Sequence, residues 1–272
     1  MIFFCEREQN NMVIATPSVT VVIPTYNRRE KLSRALRSVL AQTYPITEIV
    51  VVDDHSSDDT EAVVREGFPD VTYVRLPRQS GAPTARNVGV DRATSEYVAF
   101  LDSDDCFHPV KIEKQVTALL STKAGFSTCA YQTPSGRRYK TEVASPQMLL
   151  WKNALGGTSG LVARTELLRA NPFDAEMPAV QEWELYLRLV KRASFVHLTS
   201  PLYTYDDGGS DRITAQKVRR LEGHMRLFAR HPSPPGFGGL RSRTLRALTV
   251  RYLQAPNRVT QRVYGVGLKV LG

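Results

Sequence analysis

Cysteine is scarce in this chain of 272 residues: three occur, Cys5, Cys106 and Cys129. An odd number at scattered spacing excludes a disulfide framework and a zinc-binding cysteine array, and fits a reducing cytoplasmic compartment. No apolar run is long enough to cross a bilayer. The opening stretch, Met1-Ile2-Phe3-Phe4-Cys5-Glu6-Arg7-Glu8, has too short an apolar segment and the wrong flanks for a signal peptide. Residues 1–17 read as an irregular extension, with Met12 as an alternative start, because patterned sequence begins only after Pro17. Neither Gly-x-Gly-x-x-Gly nor Gly-Lys-Ser/Thr occurs, so dinucleotide-binding and P-loop readings lose support. His55, His108, His197, His224 and His231 form no metal-ligand spacing.

Acidic residues nearly vanish from the last quarter. From Arg212 onward 13 Lys/Arg face one acid, Glu222, a local charge of +12 in a chain of net +9, so residues 1–211 carry −3. The basic stretch includes Arg219, Arg220, Arg226, Arg230, Arg241, Arg243, Arg246 and Arg251. It is either a solvated helix face or a surface for an anionic partner, such as the inner leaflet of a membrane or a polyanionic acceptor. No nucleic-acid-binding motif accompanies the charge, so nucleic acid is not an expected partner.

What is present is alternation. Short β-branched runs at 18–24, 48–52, 71–76 and 97–101 read as buried strands. Helical patterns at 29–42, about 58–66, 82–92 and 109–120 separate or follow them, with Ser57 or Asp58 as a cap and Pro109 opening the last. Strands of about five residues alternating with longer helices give βαβ units and a mostly parallel sheet flanked by helices. Beyond Ser121 the pattern loosens. Strands are expected at 125–131, 161–164, 195–198 and 202–205, a polar loop at 133–140, and helices at 145–151, 181–192, 214–230 and 240–254. Gly156-Gly157-Thr158-Ser159-Gly160 reads as a flexible turn, and 232–239 as a hinge.

In such sheets ligands sit outside the carboxyl ends of the strands. Asp53, Asp54, Asp102 and Asp104 all fall there. Asp102-Ser103-Asp104-Asp105 offers two carboxylates that reach one hard cation from a turn, and Mg²⁺ or Mn²⁺ commonly shares such oxygens with substrate phosphates. A bare acid pair of this kind is also a common solvated turn, and its strand-end position favours the ligand reading. Asp53-Asp54 lets a carboxylate accept a hydrogen bond from a base N–H, beside the plainer reading of an acidic turn. Gly81-Ala82-Pro83-Thr84-Ala85-Arg86 opens a helix with small residues, where Arg86 either faces a diphosphate or is a surface arginine.

Five ordered segments then carry a resemblance: Val21-Val22-Ile23-Pro24-Thr25-Tyr26-Asn27-Arg28, Leu36-Arg37-Ser38-Val39-Leu40-Ala41-Gln42-Thr43-Tyr44, Val50-Val51-Val52-Asp53-Asp54, Ala85-Arg86-Asn87-Val88-Gly89 and Phe100-Leu101-Asp102-Ser103-Asp104-Asp105. Over about 18–120, and weakly on to about 214, the chain resembles the family 2 glycosyltransferases. The resemblance implies a GT-A fold, a nucleotide-diphospho-sugar donor, a divalent cofactor (Mn²⁺ or Mg²⁺) and inversion at the anomeric carbon. It implies a base pocket of Pro24, Tyr26 and Asp54, and Arg86 near the uridine or diphosphate. Asp102, Ser103 and Asp104 would stand at the ribose–diphosphate and metal, with Asp102 and Asp104 as metal ligands. The family's base is an acid at the start of a late helix, usually Asp. Here Glu182, in Gln181-Glu182-Trp183-Glu184, stands in its place, while Glu182 and Glu184 as first-turn acids of a helix remain the alternative. Relatives often carry a metal-reaching histidine in the segment that here reads Tyr203-Thr204-Tyr205-Asp206-Asp207, which has none.

The expected organisation is an extension over 1–17, a GT-A domain over 18–211 (nucleotide part 18–120, acceptor part 121–211) and a basic helical extension over 212–272. The expected activity is transfer of a sugar, from a UDP-sugar by preference, to a glycan or lipid-linked acceptor in the cytoplasm or on the inner face of the plasma membrane. A sugar nucleotidyltransferase and a non-catalytic nucleotide-sugar- or polyanion-binding protein are the alternatives. The first lacks its Gly-rich basic loop at Thr25-Tyr26-Asn27-Arg28.

Overall fold

The computed structural model describes residues 16–139, 146–150, 152–208 and 217–231. The expected helix at 240–254 and most of the basic extension lie outside them. Among the described residues nine strands form one sheet: β1 (Val19–Thr25), β2 (Glu48–Asp53), β3 (Thr72–Arg75), β4 (Tyr97–Phe100), β5 (Cys106–Phe107), β6 (Phe126–Gln132), β7 (Arg138–Tyr139), β8 (Val162–Arg164) and β9 (Phe195–Thr204). Their order is β3-β2-β1-β4-β8-β6-β9-β5, with β7 on β6. The helices are α1 (Arg29–Leu40), α2 (Thr60–Gly67), α3 (Ala82–Arg92), α4 (Lys111–Thr122), α5 (Thr165–Arg169), α6 (Gln181–Leu189) and α7 (Lys217–Arg230).

The first half of the sheet is the parallel βαβ array the alternation predicts. β1 pairs in parallel with β2 and β4, and β2 with β3. The second half turns antiparallel through β8, which pairs with both β4 and β6. Two reversals restore the direction, so β4, β6 and β9 run the same way, with β6 and β9 parallel. The carboxyl ends of β1, β2, β4, β6 and β9 therefore share one edge of the sheet.

Both faces of the sheet are covered, as period-two side chains require. Val19, Val21 and Ile23 of β1 enter one cluster with Leu32, Leu36, Ile112 and Leu119 of α1 and α4. Val22 enters the other with Ala85, Val90, Leu185 and Leu227 of α3, α6 and α7. Helix α3 lies close on β1: a Cβ at Gly89 would fall 2.2 Å from Val22 Cγ1. Glycine is required there by proximity rather than by backbone angle.

The differences from expectation lie mostly in the second half. The two strands expected at 195–198 and 202–205 are one strand, β9, whose register against β6 slips around Ala130. Part of the loop expected at 133–140 is β7, turning back onto β6. The helix expected at 145–151 is a 3₁₀ segment, Pro146–Leu150, and the glycine-rich turn is a 3₁₀ turn at Thr158–Gly160 with all three residues buried.

Candidate active site

β2 ends on two acids with different duties. Asp53, fully buried, accepts hydrogen bonds from the Ser56 N–H (2.9 Å), the Ser56 hydroxyl (2.5 Å) and the Tyr73 hydroxyl (2.5 Å). Its work is to fold its own turn. Asp54 accepts from the backbone N–H groups of Ser80 (2.6 Å) and Gly81 (2.8 Å) at the start of α3. Gly81 holds φ +89°, a conformation glycine adopts without strain. Asp54 thus joins β2 to α3, and its oxygens keep lone pairs for a further donor. Asn27, also left-handed, accepts from Ser57 N–H (2.7 Å) and donates its own N–H to Ser56 (2.8 Å), fixing the loop beside Tyr26. Pro24 is buried within β1, and Tyr26 just beyond it is 39% exposed. Pro24, Tyr26 and Asp54 therefore lie around one strand end.

β4 delivers Asp102, Ser103 and Asp104. Arg86, buried on α3, reaches Asp102 Oδ1 through Nη2 at 2.6 Å and Gln181 Oε1 through Nη1 at 3.0 Å. Its guanidinium lies 5.3 Å from the Phe173 ring centre. Arg28 pairs with Asp104 Oδ2 at 2.5 Å. Burial and the charge of Asp102 push Asp104 above the usual carboxylate range, and Arg28 opposes this. Asp105 is buried and held further above that range by desolvation and by Asp102 and Asp104. It accepts from the Ser159 hydroxyl (2.6 Å) and from the Asp206 N–H (3.0 Å), while Ser159 Oγ accepts the Asp102 N–H (3.0 Å). Asp105 and Ser159 are positioning groups that tie the β4 turn to the second half of the sheet. Sequence reasoning gave Asp105 no firm duty and passed over Ser159, which sits in a turn that read as flexible.

The donor set suits a hard dication. Asp102 and Asp104 supply oxygens from one turn, and a dication relieves the crowding of charge that raises Asp104. Among the described residues no group of three or more His, Cys, Asp or Glu could hold a metal, so further ligands would come from a diphosphate and water.

Glu182 stands in the first turn of α6. That helix begins from Val180 at φ +53°, a rare position for a β-branched residue and of order 1–3 kcal/mol in cost. Glu182 Oε1 accepts from Asn153 Nδ2 at 3.1 Å. Desolvation raises its carboxyl, opposed by its own backbone N–H, by the charge of Arg86 and by Asn153. Glu184 faces away: Arg188 Nε lies 3.0 Å from both its oxygens, and the His231 ring nitrogen 3.1 Å from Oε1. The two acids of this turn therefore divide. Glu184 anchors α7 to α6, and Glu182 stays on the side of Arg86 and Asp102.

A family model, Glycosyl transferase family 2, matches residues 20–173 of this chain. The chain belongs to glycosyl transferase family 2. It is a transferase enzyme of that family, with a GT-A fold. It is 32% identical to the putative teichuronic acid biosynthesis glycosyltransferase TuaG of Bacillus subtilis over 184 residues, 65% of this chain and 73% of that one. It is 30% identical to the Escherichia coli UDP-Glc:alpha-D-GlcNAc-diphosphoundecaprenol beta-1,3-glucosyltransferase WfgD over 177 residues, 64% and 70% of the two chains. The crystal structure of S. aureus TarS 1-349 with UDP-GlcNAc superposes with a TM-score of 0.64 at 18% identity, covering 89% of this chain and 74% of that one. This family 2 chain spans 50% of the longer TarS structure. The mannosyltransferase PcManGT of Pyrobaculum calidifontis, with GDP-Man and Mn2+, gives 0.61 at 22% identity over 93% and 74% of the two chains. At these identities the solved structures speak to the fold alone. Among the described residues no helix is long and apolar enough to cross a membrane.

Proposed function

We propose that this family 2 enzyme moves a sugar from a nucleoside-diphospho-sugar, preferably a UDP-sugar, to a hydroxyl of a glycan or lipid-linked acceptor. The transfer is a metal-dependent single displacement with inversion, in the synthesis of cell-surface polysaccharide or glycoconjugate. The observation that carries this is the Arg86 bridge. One guanidinium spans from Asp102, at the donor edge of β4, to Gln181, the neighbour of Glu182. This supports a reading in which Asp102, on the diphosphate side, and Glu182, the candidate base, are served by one cation, whose charge also acts on the Glu182 carboxyl.

Pro24, Tyr26 and Asp54 would seat the base, with Asp54 accepting its N–H. Ser103 and Asp102 would meet the ribose and diphosphate. Asp102 and Asp104 would hold Mn²⁺ or Mg²⁺, which supplies Lewis-acid neutralisation of the departing diphosphate. Arg86 and Arg28, already paired with these acids, add positive charge where the leaving group gains negative charge. Glu182 takes the proton from the acceptor hydroxyl. The freed oxygen attacks the anomeric carbon opposite the diphosphate, and the glycosidic bond forms as the bond to the diphosphate breaks. A carboxyl raised by desolvation is a stronger base than a solvated one. The PcManGT structure with GDP-Man and Mn2+ and the TarS structure with UDP-GlcNAc support the cofactor and donor classes. The name of WfgD supports a lipid-linked acceptor. The nucleotide part would be 18–120, the acceptor part 121–211, and the basic residues after 211 would meet an anionic membrane surface.

Thermal melting against UDP-, GDP-, dTDP- and CMP-sugars, with and without Mn²⁺, tests the donor reading. A metal-dependent rise with a UDP-sugar, lost in Asp104→Asn, is expected. No rise with any of the four, or an undiminished rise in that variant, refutes it.

A further inference from the structure

Four tyrosines cluster at the carboxyl ends of β6 and β9, and the proposed reaction uses none of them. Tyr131 of β6 is in register with Tyr203 of β9 and with Tyr139 of β7. The Tyr131 ring lies 4.7 Å from Tyr139 at an interplanar angle of 22°, and 5.3 Å from both Tyr203 and Tyr205. Tyr203 is fully buried, Tyr131 and Tyr205 are half-buried, and Tyr139 is 39% exposed. The rings therefore climb from the core to the surface along the edge of the sheet that also carries Asp102.

Two observations tie this ramp to the candidate active site. On one side burial raises the Tyr131 phenol, with Tyr139, Tyr205 and the charges of Asp105 and Asp207 adding to it. On the other stands Gly156, at φ +85°, where an added Cβ would lie 3.8 Å from Tyr131 Cδ1 and 3.8 Å from Tyr203 Oη. The Gly156 carbonyl accepts from Asn153 Nδ2 at 3.1 Å, and the same amide group donates to Glu182. Gly156 thus flanks Tyr131 and Tyr203, and Asn153 links it to the candidate base.

The chemistry of the patch selects its ligand. Aromatic faces carry negative charge density and attract the slightly positive C–H face of a pyranose ring. Phenol hydroxyls and the exposed Arg137 sit around those faces, with Arg137 Nη1 3.2 Å from Tyr139 Oη. A hydrocarbon chain would leave these polar groups desolvated without partners, whereas a sugar meets them with hydroxyls. We propose that Tyr131, Tyr139 and Tyr205 are the stacking platform for the acceptor saccharide and present its hydroxyl towards Glu182. This rests on the reading of Glu182 as the acceptor-side base, and it names the acceptor class as a pyranose at the ring that is glycosylated.

Saturation-transfer NMR with the methyl α- and β-glycosides of glucose, galactose, mannose and N-acetylglucosamine, on the full chain saturated with UDP, tests it. At least one glycoside should receive saturation on the C–H protons of one ring face. Tyr139→Ala and Tyr205→Ala should weaken that binding about tenfold, the scale of one lost aromatic contact, and Tyr139→Phe should keep it. The UDP melting shift should be the same in all variants. No binding by any glycoside, or undiminished binding in both alanine variants, overturns the platform. Failure of wild-type protein to bind UDP counts against the donor reading and leaves the glycoside result to decide the platform.

Discussion

Among β1 to β4 every strand pairing is parallel and each connection between successive strands contains a helix; from β5 to β9 the pairings are mixed, and the links range from the short turn between β6 and β7 to the long stretch between β7 and β8. In the first region each residue that fixes the site sits on or just beyond a regular element: Asp54 and Asp102 just after β2 and β4, Arg86 within α3. In the second the site is assembled from distant, irregular chain: Asn153 on Glu182, Ser159 on Asp105, Asp206 on Asp105. The proposed donor side is a repeating scaffold with residues on it. The proposed acceptor side is a set of groups held by one another.

The sharpest test of that contrast is Glu182→Gln. Loss of a general base lowers rate by about 10²–10⁴-fold, while the donor side is built elsewhere and should bind UDP-sugar with an unchanged melting shift. Because desolvation raises the Glu182 carboxyl, wild-type kcat/KM should fall as pH drops through a value above the ordinary carboxylate range. Protonation there removes the base. A variant that turns over normally, or that loses donor binding together with turnover, would show that the two sides are not separable in this way.

That division also explains what was legible beforehand. The βαβ array, its strand ends and the acids on them follow from period and alternation, and α3 was bounded at Ala82–Arg92 as observed. The strands β5 and β7 have two residues each, too few for any period to show. β9 divides in sequence at Thr199-Ser200-Pro201, and its continuity depends on β6, a partner more than sixty residues away. The resemblance singled out Glu182 at a helix start, with two first-turn acids as the alternative, and what distinguishes Glu182 from Glu184 is a pair of long-range contacts, from Asn153 and from His231. Sequence periodicity carries no information about those.

A smaller effect concerns Lys111, where α4 packs under the second region. Its Nζ is fully buried and has no hydrogen-bond partner among the described residues, 4.1 Å from the Phe107 ring centre. Desolvation lowers its pKa from 10.5 to about 8. Below about pH 8 both folded and unfolded chains hold the proton, and the cost of burying the ammonium is present in full. Between about 8 and 10.5 the unfolded chain binds more protons, so this cost shrinks and stability rises with pH. Lys111→Met should therefore stabilise the protein at pH 7 by about 1–3 kcal/mol and flatten that rise, as read by urea denaturation at pH 7 and pH 9.5. A loss of stability, or an unchanged slope, would mean that the ammonium is satisfied in a way its burial does not reveal.

The first region has its own test in Gly89. Arg86 and Gly89 lie three residues apart on α3, and the packing of that helix sets the reach of Arg86 to Asp102. A methyl at Gly89 meets Val22 Cγ1 at 2.2 Å, so helix and strand must separate or Val22 must leave its rotamer. Overpacking of this kind costs about 1–3 kcal/mol, partly offset by the better helix propensity of alanine, roughly 1 kcal/mol. Gly89→Ala should lower the melting temperature and also weaken UDP-sugar binding, although residue 89 touches no ligand. The equivalent insult in the second region, Gly136→Ala, meets nothing within 4 Å. It strains only its own turn at φ +80° and should leave donor affinity alone. If both variants melt earlier but bind donor as the parent does, the donor side tolerates displacement of α3, and its apparent rigidity comes from the strand-end residues rather than from the scaffold beneath them.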